Sequence, residues 1–279
     1  MAKSVRPEEI DSRDATQTTL NRRSFGLHVA SVMGAGAMAA WDARFVAAQN
    51  PAAKRTIDPR SGLDGIKRVL QDATPSTWVI TGDSITHGAL HTLGWRSYPE
   101  HFAERTRWEM RRVKDVVINT GISGNRTGDL LADLDWRALR FQPQVVSIML
   151  GMNDCTAGEG GRETFRQNLV KLCERSIEAG AIPLLHSPNT VYVKNAGGRQ
   201  DLPAYAQIVQ EVAASQKVAL VDHWAHWQAT KPDQEALLPW LEDKSIHPGV
   251  FGHREMAKLM FRVLGIFDEK SPTCRLEVP

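Results

Sequence analysis

The chain predicts an α/β fold, a mostly parallel five-stranded sheet covered by helices on both faces, and three observations carry that expectation. Five short, mostly apolar runs recur at residues 77–81, 116–119, 145–150, 182–186 and 218–221, the length and composition of strands buried on both sides. Each run stops at a turn signal: Gly82, Gly121, Gly151, Ser187-Pro188 and Asp222. Longer stretches with helical spacing lie between them, and strands that alternate with helices make a parallel sheet.

In chain order, residues 63–70 form a short helix that Pro75 ends, and 77–81 then make the first strand. Helical periodicity returns over 98–108, 165–177 and 205–214, each time ahead of another strand, and a helix over 255–264 closes the domain. The stretches 156–161 and 194–202 are rich in Gly and polar residues and read as loop insertions. No repeat or low-complexity tract interrupts this region.

The N-terminal residues do not fit the pattern. Asn21-Arg22-Arg23-Ser24-Phe25 is followed by a small-residue, weakly apolar stretch over 27–40 and then by Val46-Ala47-Ala48. A basic start, a modest apolar region and a small-residue cleavage site compose an export signal, and the paired arginines resemble the twin-arginine class. An amphipathic helix with solvated arginines is the structural alternative. The reading divides the chain into a signal over 1–48, an N-terminal extension with a short helix over 49–75, a catalytic domain over 76–267 and a C-terminal tail over 268–279. It implies export machinery as a partner and a periplasmic or secreted location. His28 breaks the apolar run, which falls short of the ~20 residues that a span requires, so no stable membrane span is expected after signal removal.

Composition narrows the function classes. The chain has 34 Lys and Arg against 32 Asp and Glu, a net charge of +2 that is too evenly mixed for the field that binds nucleic acid. A hydrophobic share of 42% over 279 residues supports one sizeable core. Cys155, Cys173 and Cys274 cannot all pair within one chain and lack zinc-site spacing. Cys155, beside a candidate site loop, is read as an inert buried thiol.

Ligands of a parallel sheet bind beyond the carboxyl ends of its strands. That rule selects residues 82–88, 121–127, 151–156 and 187–190 before any chemistry is considered. Gly82-Asp83-Ser84 places a hydroxyl on the turn after the first strand, where backbone N–H groups can face a developing negative charge. Gly121-Ile122-Ser123-Gly124-Asn125, Gly151-Met152-Asn153-Asp154 and Ile246-His247-Pro248 follow in order. These four blocks resemble the SGNH/GDSL hydrolase (esterase/lipase) superfamily over nearly all of residues 76–264.

The resemblance implies a flavodoxin-like three-layer α/β/α sandwich, consistent with the strand and helix alternation. It implies that Ser84 is the nucleophile and His247 its base. The oxyanion donors would be the backbone N–H of Ser84, the N–H of Gly124 and the side-chain amide of Asn153. Chemistry asks for the same residue types, since a serine hydroxyl is a weak nucleophile until a base takes its proton. Asp83 and Asp154 are expected to hold their loops in shape. His87, His91 and Arg126 are candidate substrate contacts, with a solvated or structural role as the alternative for each.

One departure concerns the residue that orients His247. The family pattern has an aspartate three residues before the histidine, where this chain has Lys244, and Asp243 stands four before. A one-residue bulge would let Asp243 reach the ring, and Asp243 is the favoured choice. Glu242 is a longer-armed substitute, Asp222 is another whose alternative is capping the next segment, and a backbone carbonyl would also serve.

No cofactor and no metal are expected, because His223, His226 and His253 form no compact zinc-hydrolase motif. Trp95, Trp224, Trp227 and Trp240 are candidates for an apolar or sugar-stacking wall, with core packing as the alternative. The expected reaction is hydrolysis of a short acyl ester, acetyl on a carbohydrate or a similar small ester, through an acyl-Ser84 intermediate. A lysophospholipase or thioesterase, and an acyltransferase using the same serine, remain alternatives, with a noncatalytic carbohydrate-binding protein behind them.

Overall fold

The computed structural model describes residues 57–275, so the export signal, the start of the N-terminal extension and the last four residues lie outside the described residues. The strands are β1 (Thr77–Gly82), β2 (Val116–Asn119), β3 (Val145–Met149), β4 (Ile182–His186) and β5 (Ala219–Val221). They form one sheet in the order β2-β1-β3-β4-β5, every pair parallel. β1, β3 and β4 are almost wholly buried, as their unbroken apolar runs require. β2 is an edge strand and is half exposed.

The helices are α1 (Gly62–Gln71), α2 (Ser84–His87), α3 (Tyr98–Ala103), α4 (Thr127–Arg137), α5 (Arg162–Glu178), α6 (Leu202–Gln216), α7 (His223–Thr230), α8 (Gln234–Leu237), α9 (Val250–Leu264) and α10 (Pro272–Arg275). One layer holds α1, α3 and α9, and the other holds α4, α5 and α6. This is the expected three-layer α/β/α sandwich. α1 buries Ile66, Val69 and Leu70 on a single stripe and leaves its charges in water. Trp78 of β1 meets Phe102 of α3 edge to face at 4.9 Å, one of many contacts that join this layer to the sheet.

Two elements depart from the sequence expectation. The helix over 98–108 holds α-helical bonds only to Ala103 and continues to Glu109 with π-helical spacing. α4 was not anticipated, because Gly128 and three aspartates mask a stripe reduced to Leu130 and Leu134. At the C-terminal end, part of the expected tail is docked. Glu109 accepts hydrogen bonds from Ser271 Oγ and from the Thr273 N–H (2.8 Å), which brings Cys274 into the core. All three cysteines are free and buried. No helix among the described residues is long and apolar enough to cross a membrane.

Candidate active site

The sheet delivers the first three blocks to one end because all five strands point the same way. β1 ends at Gly82, where a Cβ would come 2.3 Å from the Met149 carbonyl oxygen of β3, so only glycine fits. The chain then turns into α2. Asp83 caps that helix by accepting the Ile85 N–H at 3.0 Å, and Ser84 occupies the first helical position. The N–H groups of a first turn have no intrahelical partner, which leaves that of Ser84 available.

His247 is carried by a tight loop rather than by a regular element. Leu241 and Pro248 bridge in antiparallel fashion, and the Glu242 N–H donates to the His247 carbonyl at 2.9 Å, closing the loop at its base. Lys244, in the left-handed region at φ 51°, absorbs the extra residue. Asp243 Oδ1 then accepts the N–H groups of Ser245, Ile246 and His247 at 2.9, 2.9 and 3.1 Å, while Oδ2 accepts from His247 Nδ1 at 2.6 Å. That bond fixes the tautomer, so Nε2 is the acceptor facing Ser84 Oγ at 2.9 Å. Asp243 is thus the carboxylate in contact with His247. Asp222 caps α7 through the Ala225 N–H and also accepts from Ser187 and Gln210.

The loop after β4 braces this arrangement. Asn189 donates to the Ile246 carbonyl at 3.1 Å, the Tyr192 N–H to that of Ser245 at 2.8 Å, and Asn195 to that of Lys244 at 2.8 Å. His91 lies flat on the His247 ring, with centroids 3.5 Å apart and planes within 3°. Burial holds the His247 imidazole below its ordinary pKa; the Asp243 bond pulls it up and His91 pushes it down. On Asp243, burial works upward, and the hydrogen bonds from His247 outweigh it and hold the carboxyl low.

Gly124 adopts φ +84°, a conformation that favours glycine, and is exposed. Asn153 Nδ2 donates to the Asn125 carbonyl at 3.1 Å, which sets the amide beside the Gly124 turn with a second N–H to spare. Asp154 ties the same loop to α4, accepting from the Thr127 N–H and hydroxyl at 2.8 and 2.6 Å and from the Gly151 N–H at 3.2 Å. Asp83 and Asp154 are both buried. Burial raises both carboxyls, Asp83 to about 7. His87 reaches Ser123 Oγ at 3.1 Å and Arg126 reaches Thr156 Oγ1 at 3.0 Å. Neither has a hydrogen bond to Ser84 or His247.

Two arginines were not picked out in the sequence. Arg137 is buried at the end of β1, donating to Thr81 Oγ1, to the Gly82 and Thr120 carbonyls and to Asn125 Oδ1. Arg199 comes from the stretch read only as a loop insertion, and its guanidinium lies 3.5 Å from Asn153 Oδ1. Local spacing carries no signal for either, since their partners are distant in the chain. Among the described residues, His91, Asp243 and His247 bring metal-ligand atoms within 4.8 Å of one another, and two of the three already bond each other. Cys155 is pushed up to about 12 by burial and is held as a thiol.

A serine, a histidine and an aspartate in series, beside spare N–H donors at the carboxyl edge of a parallel sheet, define a serine ester hydrolase. The chain belongs to the GDSL-like lipase/acylhydrolase family, whose family model matches residues 80–255. It is 29% identical over 163 residues to the acetylxylan esterase of Geobacillus stearothermophilus, covering 53% of this chain and 72% of that protein. It is 27% identical over 176 residues to the thioesterase 1/protease 1/lysophospholipase L1 of Escherichia coli K12, covering 63% and 77%. The crystal structure of LAE5, an α/β hydrolase from the metagenome of Lake Arreo, shares the fold with a TM-score of 0.59 and 22% identity, over 71% of this chain and 99% of that one.

Proposed function

We propose that the protein hydrolyses short acyl esters, acetyl groups on a carbohydrate in particular, through an acyl-Ser84 intermediate. The observation that carries this reading is the series Ser84 Oγ to His247 Nε2 at 2.9 Å and His247 Nδ1 to Asp243 at 2.6 Å. His247 takes the serine proton as Oγ bonds the ester carbonyl carbon. The oxyanion is met by the N–H groups of Ser84 and Gly124 and by the Asn153 amide. His247 then protonates the departing alcohol as the ester C–O bond breaks, and a water that it deprotonates frees the acid. The acetyl preference is supported by the likeness to an acetylxylan esterase. Export to the periplasm or the medium is proposed from the Arg22-Arg23 signal alone.

The test is kcat/KM for p-nitrophenyl esters from acetyl to octanoyl, run beside acetate release from acetylated xylan. Ser84→Ala should fold normally and lose all but a small residue of turnover. A rate that declines with chain length, with acetate released from the glycan, supports the reading. A steep rise toward octanoyl with no glycan acetate points to a lysophospholipase or thioesterase, and acyl transfer to added alcohol in preference to water points to a transferase.

A further inference from the structure

A pocket of about 460 Å³ has Arg199, a neighbour of Asn153, in its wall. Its lining includes Arg199, Lys231, Trp224, Gln200, Gln228 and Gln234. Arg199 joins the two regions, since its Nη2 lies 3.5 Å from Asn153 Oδ1 while the side chain forms a wall of the pocket. The segment that supplies this wall is the one that braces the His247 loop through Tyr192 and Asn195. Arg199 therefore links the pocket to Asn153, one of the candidate oxyanion donors.

The lining is chemically lopsided. It holds two cations and no carboxylate. The acidic residues nearest in sequence are engaged elsewhere: Asp201 pairs with Arg162, Asp233 caps α8 by accepting the Glu235 N–H at 3.2 Å, and Glu235 accepts from Lys194 at 3.0 Å and from the Tyr192 hydroxyl at 2.8 Å. Among the described residues, neither Arg199 nor Lys231 has a carboxylate within ion-pair distance; Lys231 stands 5.3 Å from the centre of the Trp240 ring. Arg199 Nη1 donates to the Gly197 carbonyl at 2.9 Å and Nη2 lies 3.5 Å from Asn153 Oδ1, which leaves each of them one further N–H for an anion. Three glutamines add groups that both donate to and accept from hydroxyls, and Trp224 adds apolar surface for a ring.

We propose that this pocket is the leaving-group subsite for an anionic sugar, a uronic-acid residue of an acylated oligosaccharide whose carboxylate is held by Arg199 and Lys231. The proposal rests on the ester-hydrolysis reading above and adds to it the charge of the preferred substrate. A neutral sugar fills the same space but leaves both cations without a counter-charge. The carboxylate also orients the sugar, because a guanidinium binds it in a fixed plane.

The test uses two acetylated monosaccharides that differ in one group, methyl O-acetyl-galactosiduronate and methyl O-acetyl-galactoside, with p-nitrophenyl acetate as a third substrate. In 20 mM buffer, kcat/KM should favour the uronate by about tenfold, the order of one charge-assisted hydrogen bond. The ratio should approach one in Lys231→Gln and Arg199→Gln, and should fall as salt is raised. A ratio keeps general losses of activity out of the comparison, which matters for Arg199 because it touches Asn153. Equal rates on the two sugars, or a preference that Lys231→Gln leaves intact, overturn the subsite while leaving the esterase reading in place. If no ester is cleaved, the esterase reading fails by itself, and titration of galacturonate into Ser84→Ala protein still decides the pocket. Saturable binding lost in Lys231→Gln supports it, and no saturable binding ends it.

Discussion

Two groups of histidines show what surroundings do to one side chain. His247 stands at the rim of the sheet between Asp243 and Ser84, with His91 on its face. His186, His223 and His253 lie in the interior around Tyr98. There His186 bonds Ser147 Oγ at 2.7 Å and His223 at 3.0 Å, and His253 accepts the Tyr98 N–H at 3.3 Å. No carboxylate hydrogen-bonds any of these three among the described residues. Burial pushes His186 and His253 down to about 3 and His223 well below its usual value. The interior rings are therefore neutral packing elements, whereas the rim histidine has a carboxylate that offsets part of the same penalty. A histidine becomes a usable base where one nitrogen faces an anion and the other faces the group to be deprotonated.

Four experiments break or sharpen that contrast. His247→Ala should lower kcat by about 10⁴-fold or more, as loss of a base does in serine hydrolases, with little change in thermal midpoint. An equal loss from His186→Ala in folded protein would erase the distinction between rim and interior. Asn153→Ala should lower kcat by about 10² to 10³ with a small change in KM, since its amide meets charge present mainly in the transition state. A raised KM at constant kcat would make Asn153 a ground-state contact instead.

The interior group is tested by acid. His186, His223, His253 and His101, the last held at about 4, stay neutral in the folded protein, while their unfolded counterparts take up protons below about pH 6.5. Their contribution is complete above that pH and is lost as pH falls, at ~1.4 kcal/mol per pH unit for each group. Asp83 and Asp154 work in the opposite direction. Burial raises both, Asp83 to about 7, so their share falls as pH rises above the ordinary carboxylate range near 4. The four histidines outnumber the two carboxyls, so stability should fall as pH drops from 6 to 5. Urea titrations at pH 7.5, 6 and 5 measure the slope, and a flat profile would show that the interior histidines are charged or solvated.

The smallest effect is expected at His91. Removing the flat ring uncovers one face of His247, so His91→Ala should cost several-fold in kcat and move the acid limb of kcat/KM to higher pH, because both burial and His91 hold the His247 pKa down. His91→Phe restores a flat ring on His247 and should recover most of kcat. An unchanged limb in His91→Ala would make the stacking incidental.

Much of this was legible locally. The strand over 116–119 and that over 182–186 agree with β2 and β4 residue for residue, because short apolar runs between turn signals have few other ways to be buried. The helix over 98–108 was seen without its change to π spacing, and α4 was missed, because both depend on what packs against them more than on their own periodicity. Gly82 could be nominated because it ends a strand run, and Ser84, Gly124, Asn153 and His247 because they lie in the four blocks that resemble the SGNH/GDSL pattern.

The sequence by itself determined the alternation of strands and helices, the sheet edge on which the site lies, and the residue types available there, since these follow from hydrophobic period and turn chemistry within a few residues. Only the tertiary structure decided among the acids for His247. Asp243 is favoured on paper with Glu242 and Asp222 left open, and the left-handed turn at Lys244 turns Asp243 toward the ring while Asp222 is committed to capping α7. The same holds for His91 on His247 and for Arg199 beside Asn153, partners separated by 156 and 46 residues. Such contacts are set by how the loops pack at the end of the sheet, and no local pattern encodes them.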